Sequence, residues 1–138
     1  MIYGIKMDFT RKARLVAEGC RTPDPVNSTY TGIAFRESVW IISTYAALDD
    51  LDVYTADVQN KYLQALCSKK HFTVMGWEFG SKYVGKEAII VWAAYGLKSA
   101  GVDFKNLLRN CMDHLGYESC KSDPDVWMRK TTRSDGEA

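Results

Sequence analysis

The 138-residue sequence has no apolar run near the ~20 residues that a membrane-spanning helix needs, which excludes a helical transmembrane protein. It has almost no net charge: 18 Lys and Arg stand against 17 Asp and Glu, a formal +1 at pH 7. That balance excludes a protein that holds nucleic acid by bulk charge alone. The opening residues, Met1 to Asp8, lack the apolar stretch and cleavage site of a secretory leader, so an intracellular setting with no membrane partner is expected. Histidine is limited to His71 and His114. The four cysteines, Cys20, Cys67, Cys111 and Cys120, show no Cys-x-x-Cys spacing, so reduced thiols are expected and zinc is not. There is no internal repeat and no low-complexity segment.

What is present suits one globular domain. Hydrophobic residues make up 46% and charged residues 25%, and the length suffices for a buried core. The charge is unevenly placed. Lys6, Arg11, Lys12, Arg14 and Arg21 crowd the start, while Asp49, Asp50, Asp52 and Asp57 crowd the middle. This is either a chance distribution of surface charge or a basic face and an acidic face serving phosphates and metal ions.

Periodicity gives the element order. Residues 11–18 partly alternate and read as a strand, with Lys12 and Arg14 on one face and Ala13 and Leu15 on the other. Residues 20–34, with Pro23 and Pro25, read as loop. Residues 36–48 repeat apolar positions near every 3.6 and predict a helix. Residues 51–57 alternate as a strand ending at Asp57. Residues 71–75 and 87–92 are two β-rich runs joined by a glycine-rich connector. A glycine-bearing turn at 95–101 precedes a helix over about 102–115. Its apolar stripe is Phe104, Leu107, Leu108, Cys111 and Leu115, which places Cys111 in the core, and Gly116 is its C′ residue. Residues 125–130 predict a last strand, and 131–138 a frayed tail. The class is α+β, a mostly antiparallel sheet with helices on one face.

Asp57, a hard carboxylate at the end of a strand, is a candidate magnesium ligand, although many such aspartates only cap turns. Its neighbours, Ala56-Asp57-Val58-Gln59-Asn60-Lys61-Tyr62-Leu63, resemble the first catalytic motif of reverse transcriptases of the Ty1/copia retrotransposon class. Other segments resemble the same family in the same order. They are Lys12 to Ala17 with Gly19, Arg36 to Val39 with Ala46 to Leu48, Gly76 with Glu78 to Gly80, Tyr95 to Gly101, His114 to Tyr117, and Asp123 to Met128.

The resemblance implies an RNA-directed DNA polymerase. Residues 1–35 would be fingers-like and 36–130 a partial palm. Its partners would be an RNA or DNA template-primer and deoxynucleotide triphosphates. Its chemistry would be nucleotidyl transfer through two Mg2+ ions about 3.5–4 Å apart. By the same resemblance Asp57 would hold both ions and the Val58 carbonyl would add a ligand. Tyr62 would lie under the sugar, or else be an ordinary core aromatic. Lys12 and Arg14 would contact the triphosphate, or else form a solvated face. Gly96 and Lys98 would lie near the nucleotide, or else serve only the turn.

The sequence departs from the family at several positions. Lys61 stands where alanine is usual and is expected to crowd the site; Cys20, Phe35, Trp40, Leu66, Trp92 and Ala94 are also atypical. No Asp-Asp pair follows Asp50 within these 138 residues. The family's second carboxylate motif is therefore not among them, and the isolated chain is expected to be inactive with weak or no Mg2+ binding. The alternative is a non-catalytic nucleic-acid- or protein-binding retrotransposon remnant. An open sheet edge and apolar face are expected to promote self-association.

Overall fold

The computed structural model describes residues 1–22, 29 and 31–131. It is α+β: two helices and antiparallel strand pairs. The strands form three separate two-stranded ladders where the sequence predicts one sheet. Among the described residues no helix is long and apolar enough to cross a membrane. The tail at 132–138 and most of the loop at 23–30 lie outside the described residues. The chain divides into two compact units. Unit 1 comprises residues 1–30 and 59–106, and unit 2 residues 31–58 and 107–138.

Unit 1 opens with β1 (Ile2–Ile5) paired to β2 (Arg11–Arg14), with Tyr3 opposite Ala13 and Gly4 opposite Lys12. The alternation at 11–18 thus marks a real strand, but only its first four residues have a partner. β1 escaped sequence reading because Ile2-Tyr3-Gly4-Ile5 is too short to show a period. The chain later forms β3 (Leu66–Val74), which begins five residues before the predicted run at 71–75, and β4 (Glu87–Trp92), which has the predicted bounds. Phe72 faces Ile89 and Thr73 faces Ala88, the side-chain pairing that stabilises a ladder. The register shifts between Leu66 and His71, so residues 67–70 bulge out of the pairing. The Ala93 N–H donates to the Ala65 carbonyl (2.8 Å) and closes the open end of this hairpin. The buried apolar residues here are Ala65, Ala93, Leu97 and Ala100, three of them alanines.

Unit 2 contains α1 (Arg36–Leu48), with the predicted bounds. Its N-terminus has no capping side chain of its own. The backbone N–H of Phe35 instead donates to Asp123 Oδ2 (2.8 Å), and Asp123 Oδ1 accepts from the Asp125 N–H (3.2 Å). Asp123 lies between the short strands β5 (Glu118–Ser119) and β6 (Trp127–Met128), of which only the second was legible as a strand. The second helix, α2 (Ala100–His114), begins in unit 1 and ends in unit 2. Gly116 follows it at φ +78°, the left-handed residue expected at C′.

Two expectations are corrected. Residues 51–57 form no strand: they join no ladder, and all are exposed. The Leu51 N–H donates to Ala46 (2.8 Å), which prolongs the exit of α1. An alternating pattern makes a segment suitable for a sheet, but a strand exists only through a partner, and none of the described strands pairs with it. Cys111 is exposed, not core, as are Leu108 and Leu115. The stripe has helical period, yet among the described residues nothing covers its C-terminal half.

Candidate functional site

Unit 1 brings together residues that are far apart in sequence. The segment after β2 runs against the turn before α2, and the Ala17 N–H donates to the Tyr95 carbonyl (2.7 Å). The approach is close enough to require glycine on both sides. A Cβ on Gly19 would overlap the Gly96 carbonyl oxygen; a Cβ on Gly96 would overlap the Ala17 carbonyl oxygen and meet Val16 Cγ1 at 2.8 Å. Gly96 also has φ +90°, where a side chain is strained. Its conformational role is therefore backbone approach and turn geometry together.

This crossing sets Arg14 over the ring of Tyr95, 5.3 Å from its centroid. Tyr95 meets Tyr62 edge to face at 5.1 Å, and Tyr62 meets Phe104 edge to face at 6.5 Å. Lys61 Nζ lies 5.0 Å from the Tyr62 ring and 5.8 Å from the Phe104 ring. The result is three aromatic rings with a cation near each end. Such rings prefer edge-to-face contact, and their faces attract cations. The Lys61 ammonium thus sits against two of the rings. Lys98 Nζ donates to the Thr22 carbonyl (3.0 Å), which ties the turn to the chain beyond Gly19. Lys12 shares a face of the β1–β2 ladder with Arg14 and is exposed.

Of the residues singled out from sequence, Arg14 and Tyr62 join this cluster, with Gly96 beside Tyr95 and Lys98 two residues on. Tyr95 and Phe104 complete it; the sequence placed Tyr95 in the glycine-bearing turn and Phe104 in the apolar stripe of the second helix, and neither at a binding site. Their proximity to Tyr62 spans dozens of residues, which no periodicity encodes; the aromatic flanking Gly96 was the only available signal.

Asp57 and Val58 belong to unit 2, and both are exposed. Among the described residues no group of three or more His, Cys, Asp or Glu gathers as a metal-ligand set. Magnesium prefers octahedral oxygen coordination with one or two carboxylates plus waters and phosphates. One carboxylate and one carbonyl fall short of a two-ion site by themselves. The ring cluster offers aromatic surface to a planar group and two cations to an anion.

No family model, curated protein or solved structure matches this chain.

Proposed function

We propose that the chain is the nucleotide-binding fingers and partial palm of a reverse-transcriptase-type polymerase of the Ty1/copia kind, and that unit 1 binds a deoxynucleoside triphosphate. The observation that carries this reading is the meeting of Arg14, Tyr62 and Tyr95 in one cluster, Arg14 over the Tyr95 ring and the two tyrosines edge to face. These residues come from three of the segments that resemble the family. A base or sugar would lie against the aromatic edge, with Arg14 and Lys61 supplying positive charge to the phosphates. Lys12 adds a further cation on the face it shares with Arg14.

Asp57, with the Val58 carbonyl, would be the Mg2+ anchor of the intact enzyme. Within these 138 residues it lacks the second carboxylate pair, so the chain alone binds nucleotide and does not polymerise. The test is titration with a fluorescent dATP analogue. Tyr62→Leu and Arg14→Ala should each weaken binding about three- to tenfold, the worth of one stacking or cation–π contact. Equal binding by wild type and both variants refutes the site. Primer extension on poly(rA)/oligo(dT) with Mg2+ should give no incorporation, and synthesis abolished by Asp57→Asn refutes the inactivity.

A second reading, a non-catalytic nucleic-acid-binding remnant, is favoured by one observation. Unit 1 holds 12 Lys and Arg against 6 Asp and Glu. A salt-dependent gel shift with single-stranded RNA that ignores Tyr62→Leu would support it over nucleotide binding.

A further inference from the structure

The overall charge of +1 hides a polarity that the two units reveal. Unit 1 has 12 basic and 6 acidic residues, and unit 2 has 6 basic and 11 acidic. Their net charges of +6 and −5 account for the +1.

Among the described residues large apolar side chains are exposed, and two groups of them lie beside charge of opposite sign. One is the β1–β2 hairpin, where every residue from 1 to 15 is exposed. Ile2, Tyr3, Ile5, Met7 and Phe9 are each 59% or more exposed, among Lys6, Arg11, Lys12 and Arg14. The other is α1 with the segment after it, where Trp40, Ile41, Tyr45, Leu48, Val53 and Tyr54 are each 59% or more exposed, beside Asp49, Asp50, Asp52 and Asp57. A helix that is apolar on most of its circumference is normally covered, and an isolated two-stranded hairpin is marginal in water.

We propose that two copies of this chain associate by seating the basic β1–β2 hairpin of one on the acidic unit 2 of the other. The pairing satisfies three needs together. Among the described residues the hairpin's outer edges have no strand partner, since its sheet has two strands there. Residues 51–58 join no ladder yet keep the alternation of a strand, so they can add to such an edge. The charges are complementary, four cations on the hairpin facing four aspartates in or next to the segment. The apolar side chains on both parts leave water in the same step. If the exchange is reciprocal, the contact closes as a two-fold dimer and leaves no free sticky end. The contact shares Lys12, Arg14 and Asp57 with the proposed nucleotide site, but it is tested at Lys6, Arg11, Asp49 and Asp52, which lie outside that site, so failure of one is distinguishable from failure of the other.

The test is analytical ultracentrifugation of nuclease-treated protein across a concentration series. Wild type should dimerise, and raising salt from 0.05 to 0.5 M should weaken the dimer about tenfold or more as the charges are screened. The double variants Lys6→Glu/Arg11→Glu and Asp49→Lys/Asp52→Lys should each be monomeric where wild type is dimeric. None of these four residues lies in the ring cluster. An equimolar mixture of the two variants should associate again, because each supplies the reversed partner of the other. That rescue also shows that both variants are folded. A wild type that stays monomeric at every concentration, dimerisation unchanged in both variants, or a mixture that stays monomeric overturns the proposal.

Discussion

Gly19 and Gly96 hold the crossing on which the ring cluster depends, and their replacement by alanine gives the sharpest check of the site's architecture. At Gly96 two costs apply. The backbone sits at φ +90°, where an L side chain costs ~1–2 kcal/mol. The new Cβ would also overlap the Ala17 carbonyl, so the segment at 16–19 must retreat. Retreat breaks the Ala17–Tyr95 hydrogen bond, worth ~1 kcal/mol. The expected loss for Gly96→Ala is therefore about 2–3 kcal/mol. At Gly19 no left-handed backbone is involved, and the cost is that of overpacking, ~1–3 kcal/mol. Urea unfolding measures both. Because either alanine forces the same retreat, the double variant should lose less than the sum, with a coupling of ~1 kcal/mol. The near-ultraviolet circular dichroism of the tyrosines should fall with stability, since Tyr95 moves away from Tyr62 and Arg14. Gly4→Ala is the control. No atom lies within 4 Å of its Cβ position, so it should stay within ~0.5 kcal/mol of wild type. Additive losses at Gly19 and Gly96, or losses no larger than at Gly4, would refute the close-crossing argument.

Two further outcomes are expected. Asp123 is only 3% exposed and accepts the Phe35 N–H, so Asp123→Ala leaves the start of α1 without its partner. It should cost about 1–3 kcal/mol, with a matching loss of helical circular dichroism on urea titration; an unchanged midpoint would exclude the capping role. The Asp8 carboxylate is held below its usual range, chiefly by the Thr10 backbone N–H. A depressed carboxylate contributes stability above its unfolded pKa and loses it as pH falls through the folded one. The Thr10 amide resonance should therefore follow an acidic titration that lies below the usual carboxylate range, and in Asp8→Asn that titration should vanish.

The parts of the fold that were legible in the sequence are those whose signal is local. α1 repeats its apolar residues over thirteen positions, and its bounds follow from that repeat and the Asp49-Asp50 exit. β4 is a dense β-branched run, and Gly116 is a lone glycine after a periodic stretch. The misreadings share one cause. Residues 51–57 and the stripe through Cys111 have the right period, but a period states only which face would be buried, not whether a partner covers it. The ladder at β5–β6 has two residues on each side, below the length at which any period can be seen.

The ring cluster was half legible for the same reason. Arg14, Tyr62 and Gly96 were reached through similarity of separate segments, and no local property of any of them indicated that they would touch. What joins them is a pair of glycines that are 77 positions apart in the chain, Gly19 and Gly96, each needed because the other's backbone lies against it. Tyr95 follows from that crossing, since its carbonyl is the acceptor that fixes the neighbouring segment and its ring is the surface on which Arg14 rests. Lys61 follows from it more remotely, because the rings it covers are aligned by Tyr95. Lys61 therefore rests against the rings of Tyr62 and Phe104. On this argument Lys61→Ala should weaken binding of the dATP analogue a few-fold, by removing one of the two cations offered to the phosphates, while lowering stability to urea by no more than ~1 kcal/mol, the upper worth of an exposed cation–π contact.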